Sequence, residues 1–305
     1  MAPMATLAPS QKTVTHLDSK FRKPLQILEA QYDKAALTEE EAQRVNDTPG
    51  LAELIANFIA ESRANNKFKN EEVSSRLAYP KEYKGPKPIA DQIKALAAIF
   101  DLSPALALEY AEHLPELPQG AEGWFAIPSV SALAAKHFPE VTDSAERYCR
   151  AIQIVHEKIA FSRKFYNYRE GEITTDKLRM HARTAHALDL VAEAQGNGDI
   201  LIVAAQLGMR HRGRSVRRAR EVFISNEFGL GSLMVGSIIL THPERLVRWE
   251  ELDMDCAGDE FAPAADGGFV GAPVFVFFGG RVKFDADGFD VAVDDFGSAS
   301  GFLPQ

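Results

Sequence analysis

The sequence predicts an α+β fold, with a helical N-terminal half followed by a mixed C-terminal region that ends in an antiparallel β-meander. Three observations carry this. Apolar residues recur at helical spacing over residues 86–195. The pattern changes after Asp199, where the run ILIVAA is short and β-branched enough for a buried strand. Near the C-terminus, Gly279-Gly280 and Asp287-Gly288 separate alternating segments as hairpin turns do. Three regions follow: a mobile tail and N-terminal helical arm over 1–85, a helical region over 86–198, and an α+β region packed on it over 199–305.

Taken in order, residues 1–16 carry Pro3, Pro9 and small residues without periodicity, as a mobile tail does. Thr38 with Glu41 has capping-box spacing, and Leu51, Leu54, Ile55, Phe58 and Ile59 form a helical apolar stripe. The stretch YPKEYKGPKP, Tyr79 to Pro88, cannot continue a helix and reads as a joint near residue 85. Ile89, Ile93, Leu96, Ala97 and Phe100 share one helix face; Ser103 before Pro104 starts another helix. LPELPQGAEGWFAIPS reads as a turn-rich connection. Ser129 opens a short helix, and Asp143 with Glu146 opens a longer one burying Ile152, Val155 and Ile159. Thr175 is expected to cap a helix that turns Leu178, Ala182, Ala185 and Leu188 inward, ended by Gly196 and Gly198. At the C-terminus, Val274–Phe278, then Val282 and Phe284, then Phe289, Val291 and Val293 are the expected strands of the meander.

The 46% apolar and 25% charged composition is that of an ordinary globular protein, and no apolar run approaches the length that spans a bilayer. Cys149 and Cys256 are too far apart for a CxxC metal clip or a disulfide framework. The expectation is therefore a soluble, cytoplasmic protein without membrane association. The net charge of −9 argues against a general nucleic-acid coat, but it conceals structure. Residues 1–204 hold 24 Lys/Arg against 28 Asp/Glu, residues 205–248 hold 8 against 3, and residues 249–305 hold 2 against 12.

The basic excess comes from MRHRGRSVRRAREVF, with Arg210, Arg212, Arg214, Arg217, Arg218 and Arg220 beside His211. If Ser215 caps a helix, Val216, Ala219 and Phe223 make its buried stripe and the arginines face solvent. Cations in a first helical turn oppose the macrodipole, so this segment asks for an anion. The simplest anion is the chain's own acidic C-terminus. Nucleic-acid phosphate or a phosphorylated ligand is the next candidate, and an acidic protein face the third. No DNA-binding motif accompanies the block.

RKFYNYR (Arg163 to Arg169) and YPKEYK (Tyr79 to Lys84) interleave aromatic and basic residues, a composition that suits single-stranded nucleic acid but is more simply explained by core packing and a stiff linker. WEELDMDCAGDEF places Asp253 and Asp255 on one face of a possible strand. With Asp259, Glu260, His242 or His211 these carboxylates would support metal-assisted hydrolysis or transfer, against the plainer expectation of a charged strand edge. Their spacing fits no calcium loop. His181 and His186 diverge on a helix, HExxH is absent, and Gly229, Gly231 and Gly236 miss the GxGxxG spacing. Neither a catalytic set, a metal site nor a cofactor is implied.

The segments GMRHRGRSVRRAREVF, NEFGLG, LTHPERLVRWEELDMDCAGDEF and GSASGFLPQ resemble parts of uncharacterised bacterial proteins, over residues 80–305 and excluding the N-terminal arm. The resemblance implies no activity, ligand or partner. The expectation is a noncatalytic binding protein that uses the six arginines for an anionic partner, nucleic acid or phosphate. The alternatives are the metal-assisted enzyme and an assembly protein associating with itself or another protein.

Overall fold

A computed structural model describes residues 26, 29–30, 32–46, 67–264 and 267–304. The chain divides into two compact units, Met1–Arg63 and Ala64–Gln305. In the first, helix α1 (Glu39–Asn46) begins with the expected capping box: Thr38 Oγ1 accepts the Glu41 N–H at 3.3 Å and the Glu41 carboxylate accepts the Thr38 N–H at 2.9 Å. The tail over 1–16 and the stripe from Leu51 to Ile59 lie outside the described residues.

The second unit is α+β. Helix α2 (Ile89–Phe100) buries Ile93, Leu96 and Phe100. After the short α3 (Ala105–Ala111), strand β1 (Gly123–Pro128) leads into α4 (Val130–His137), whose N-cap Ser129 accepts the Ala132 N–H. Helix α5 (Ser144–Ser162) is capped by Asp143, which accepts the Glu146 N–H at 2.8 Å, and it buries Ile152, Val155 and Ile159. Strands β2 (Phe165–Asn167) and β3 (Leu178–Met180) precede α6 (Ala182–Ala194) and the fully buried β4 (Ile200–Gln206).

Helix α7 (Val216–Val222), strand β5 (Glu227–Gly229) and the almost wholly buried α8 (Ser232–Thr241) come next. The chain closes with β6 (Asp253–Asp255), β7 (Asp259–Phe261), β8 (Gly271–Phe278), β9 (Arg281–Gly288), β10 (Phe296–Ser298) and β11 (Ser300–Phe302).

Two sheets result. The first has the order β1-β4-β11-β5 and is antiparallel throughout. In the second, β8 pairs with β9 on one side and with β6 and β7 on the other; β2 runs parallel outside β9, β10 parallel outside β6, and β3 antiparallel outside β7. Helix α8 packs on β1, β8 and α5, which explains why it carries no charged side chain on any face. Gly236 permits the approach to α5, since a Cβ there would lie 2.6 Å from Val155 Cγ1.

Four local readings change. The connection before Ser129 contains β1, because WFAI is covered by β4 along its whole length. The helix expected from Thr175 starts at Ala182 with His181 as its N-cap, because Leu178–Met180 pairs with Asp259–Phe261 instead. The Gly279-Gly280 hairpin forms, with φ of 64° and 74°, but Asp287-Gly288 is still paired with β8 inside β9 instead of turning, and Phe289 to Val293 is not a strand: the side of β8 away from β9 is taken by β6 and β7. The stretch expected as a joint, residues 79–88, sends Tyr79 and Tyr83 inward, with rings in edge contact at 5.5 Å. No helix among the described residues is long and apolar enough to cross a membrane.

Candidate anion-binding site

The arginine block folds largely as its pattern dictates. Ser215 is the N-cap of α7, its hydroxyl accepting the Arg218 N–H at 3.0 Å, and Val216, Ala219 and Phe223 are buried. The anion that this helix start asks for is supplied by the chain itself, mainly by Glu71 and Glu72; the acidic C-terminal segment contributes longer contacts, Asp290 at 3.8 Å from Arg217 and Glu260 at 3.9 Å from Arg220. Glu71 accepts the Ser215 hydroxyl at 2.7 Å and the Arg217 Nε–H at 3.1 Å, and both atoms of that fork reach it. Glu72 pairs with Arg218 and with Arg214 at 3.4 Å, and a backbone bridge joins Glu72 to Arg214. The guanidiniums hold Glu71 below the usual carboxylate range; for Glu72 the Arg218 and Arg214 contacts outweigh burial and lower it too.

The expectation of six solvent-facing arginines is therefore corrected. Only Arg210 and Arg212 are exposed; Arg218 is buried, and Arg214, Arg217 and Arg220 are partly covered. The segment around Glu71 and Glu72 lies over them. Arg210 also meets Glu227, at 3.2 Å. Glu227 is fully buried and accepts from Ser300 Oγ and from His211 Nε2, each at 2.7 Å. Burial keeps His211 neutral, so Nε2 carries its proton while Nδ1 accepts from Arg214 at 3.0 Å.

Two arginines of the block have no hydrogen-bonded carboxylate among the described residues. Arg212 reaches Leu77 O at 3.0 Å. Arg220 donates to Ala257 O at 2.9 Å and Asp259 O at 2.6 Å, with Glu260 no nearer than 3.9 Å. A third, Arg183 in the first turn of α6, donates to Ile224 O and Ser225 O. Burial lowers the pKa of both Arg183 and Arg220, the expected cost of keeping a cation from water without a paired carboxylate.

Arg183 and Arg220 line the same cavity, of about 420 Å³. Its wall comprises Arg217, His181, Glu221 and Glu260, and four phenylalanines, Phe68, Phe223, Phe269 and Phe289. The two acids are engaged elsewhere: Glu221 accepts the Lys67 and Phe68 N–H groups and Arg218, and Glu260 pairs with Arg179 at 2.7 Å. His181 Nδ1 accepts the Arg183 N–H at 3.3 Å, which leaves the proton of the neutral ring on Nε2. Burial and then the Arg220 charge keep His181 below its usual range. The site thus combines guanidinium and imidazole donors with flat apolar walls.

Backbone crossing sets the floor. A Cβ at Gly258 would lie 2.5 Å from Gly231 N, so strands β5 and β7 meet where only glycine passes. Gly229 and Gly231 therefore serve chain packing rather than a nucleotide loop. Asp259 is equally structural: it accepts Tyr148 OH and the Ser232 N–H, each at 2.6 Å, at the start of α8.

The other candidates are dispersed. Asp253 and Asp255 lie on β6, an inner strand, and are buried rather than at a charged edge. His242 accepts the Lys87 N–H at 2.9 Å and His211 is committed to Glu227, so neither joins those acids. Among the described residues no three His, Cys, Asp or Glu side chains are placed to hold a metal ion. Of the aromatic-basic stretches, YPKEYK packs inward: the Tyr79 hydroxyl accepts the Leu207 and Met209 N–H groups, and the Arg245 guanidinium lies 4.2 Å from its ring. In RKFYNYR, Phe165 packs on His156, but Tyr166, expected in the core, is exposed with Tyr168. Sequence patterns missed His181, Arg183, Phe68 and Phe269, because their only common property is that the tertiary fold brings them to one cavity.

Comparison with protein-family models, curated proteins and solved structures finds no match.

Proposed function

We propose that this protein is a noncatalytic, cytoplasmic binding protein whose Arg183–Arg220 cavity takes a small anion, a phosphate ester or carboxylate attached to a flat apolar group. The observation that carries the reading is the pair Arg183 and Arg220: partly covered cations in one cavity whose described hydrogen bonds all go to carbonyls, with Glu260 at 3.9 Å from Arg220 and paired more closely with Arg179. A bound anion would offset their desolvation and accept the His181 Nε2–H, while the four phenyl rings suit a planar body. Two buried free thiols, Cys149 and Cys256, support a reducing compartment. The wider block as a polyanion face is less well supported, because Arg214, Arg217 and Arg218 already meet Glu71, Glu72 and Glu221.

Thermal unfolding with inorganic phosphate, adenosine monophosphate and benzoate tests this. At least one is expected to raise Tm in proportion to the logarithm of its concentration. Arg183→Met is expected to weaken binding by about tenfold or more, as loss of a charged hydrogen-bond partner does. Affinity should rise as the solution is made mildly acidic, because a bound anion favours the His181 imidazolium that burial and the Arg220 charge disfavour in the free cavity. No stabilisation by any of the three, or full retention in Arg183→Met, would remove the proposal.

A further inference from the structure

At the edge of the second sheet remote from β3, the outer face carries four large exposed aromatic side chains. Trp249 is 60% exposed, Phe278 53%, Tyr168 50% and Tyr166 47%. The sheet's alternation produces this face. Val282 and Phe284 of β9 point into the core, so Arg281 and Lys283 point out. Register places Tyr166 beside Lys283 on one side, and Phe278 opposite Arg281 on the other. Tyr168 continues the edge, its N–H bonding Phe284 O at 2.9 Å.

The rings and cations interleave. Tyr166 and Tyr168 stand edge to face at 4.7 Å, and Trp249 and Phe278 at 6.0 Å. The Lys283 ammonium lies between the two pairs, 4.4 Å from the Phe278 ring, 5.2 Å from the Tyr168 ring and 3.1 Å from the Tyr168 hydroxyl. Neither Arg281 nor Lys283 has a carboxylate partner among the described residues, and the nearby Asp285 is taken by Arg169 at 2.7 Å. Together with Gly279 these side chains line an open groove of about 310 Å³.

We infer that this face binds single-stranded nucleic acid, its rings stacking on successive bases and Arg281 and Lys283 meeting phosphates. The two ring pairs flank the Lys283 ammonium, and exposed rings beside a cation suit unstacked bases laid along a sheet. A duplex hides its base faces and would offer only phosphates. A lipid surface asks for apolar tips reaching beyond the cations, whereas here the ammonium lies over the Phe278 and Tyr168 ring faces. The surface is distinct from the Arg183–Arg220 cavity and does not depend on its ligand.

The test is fluorescence anisotropy with labelled oligo(dT) and oligo(U) of about twelve nucleotides, beside a duplex of equal length and vesicles of phosphatidylserine and phosphatidylcholine. Both single strands are expected to bind, with affinity falling as salt rises at a log–log slope of about −1 to −2. Binding should quench tryptophan emission, and Trp249→Leu should remove the quench. Tyr168→Ala with Phe278→Ala is expected to weaken binding by about tenfold or more, and Lys283→Gln to flatten the salt slope. Arg183→Met should leave this binding intact, so the two proposals fail separately. Tight binding of the duplex or the vesicles in preference to single strands would overturn the inference. So would undiminished binding by the double variant with an unchanged thermal transition, or no single-strand binding at low salt.

Discussion

Asp253 and Asp255 stand two residues apart on β6, both buried, and the only hydrogen bond described for the Asp253 carboxylate comes from the Phe277 N–H at 3.0 Å. Burial raises Asp253 to about 8 and Asp255 to about 7, the neighbouring Asp287 adding to the second. In the unfolded chain such groups release their protons near about 4, so across the interval the folded state binds more protons and stability falls as pH rises. Between about pH 7.5 and 8 the buried histidines add little: burial holds His156 at about 3 and His242 at about 4, and histidines of the unfolded chain, which titrate near about 6.5, are by then largely neutral too. Tm is therefore expected to fall over that interval, and Asp253→Asn with Asp255→Asn to remove the slope. A flat profile in the unmodified protein would contradict the neutral-acid assignment. The sequence placed these two acids on one strand face correctly. Their burial was not legible, because charged residues at alternating positions are also the mark of an exposed edge.

Helix starts were the most legible elements. Thr38, Ser129, Asp143 and Ser215 all act as the caps their positions suggest, since a cap needs only a short side-chain oxygen and the N–H groups two or three residues on. Ser215 does more, linking Glu71 to α7 through its hydroxyl and its N–H. Ser215→Ala should cost about 1–2 kcal/mol in urea unfolding with the slope unchanged, since it removes the cap and one hydrogen bond to a carboxylate. Strands depended on partners the local pattern does not contain. Thr175 offered a cap for residues 178–194, yet Leu178–Met180 joins β7 because the opposite edge of that strand's sheet position was open to it. Phe289, Val291 and Val293 alternate as a strand does, but Phe289 instead closes the anion cavity and Val291 is exposed.

For the molecule as a whole, the net charge of −9 reports little about where an anion goes. Glu71 and Glu72, more than 140 positions before the arginines they meet, decide how much of the block is open. Replacing both, Glu71→Gln with Glu72→Gln, should release Arg214 and leave Arg217 with only the longer Asp290 contact at 3.8 Å, while Arg218 keeps Glu221 at 2.8 Å. The variant is expected to elute from heparin at higher salt than the unmodified protein and to unfold at lower temperature; equal retention would mean that these guanidiniums are not exposed by the change. The sequence alone determined the α+β class, the caps, the buried stripe of α7, the Gly279-Gly280 hairpin and the demand for an anion at Arg210–Arg220, because each arises from neighbours along the chain. Only the tertiary structure decided which acids meet that demand, and which cations, Arg183 and Arg220, have no hydrogen-bonded carboxylate among the described residues. Charge pairing acts over a few ångströms in space, and the fold brings those distances about between residues that are remote in the chain.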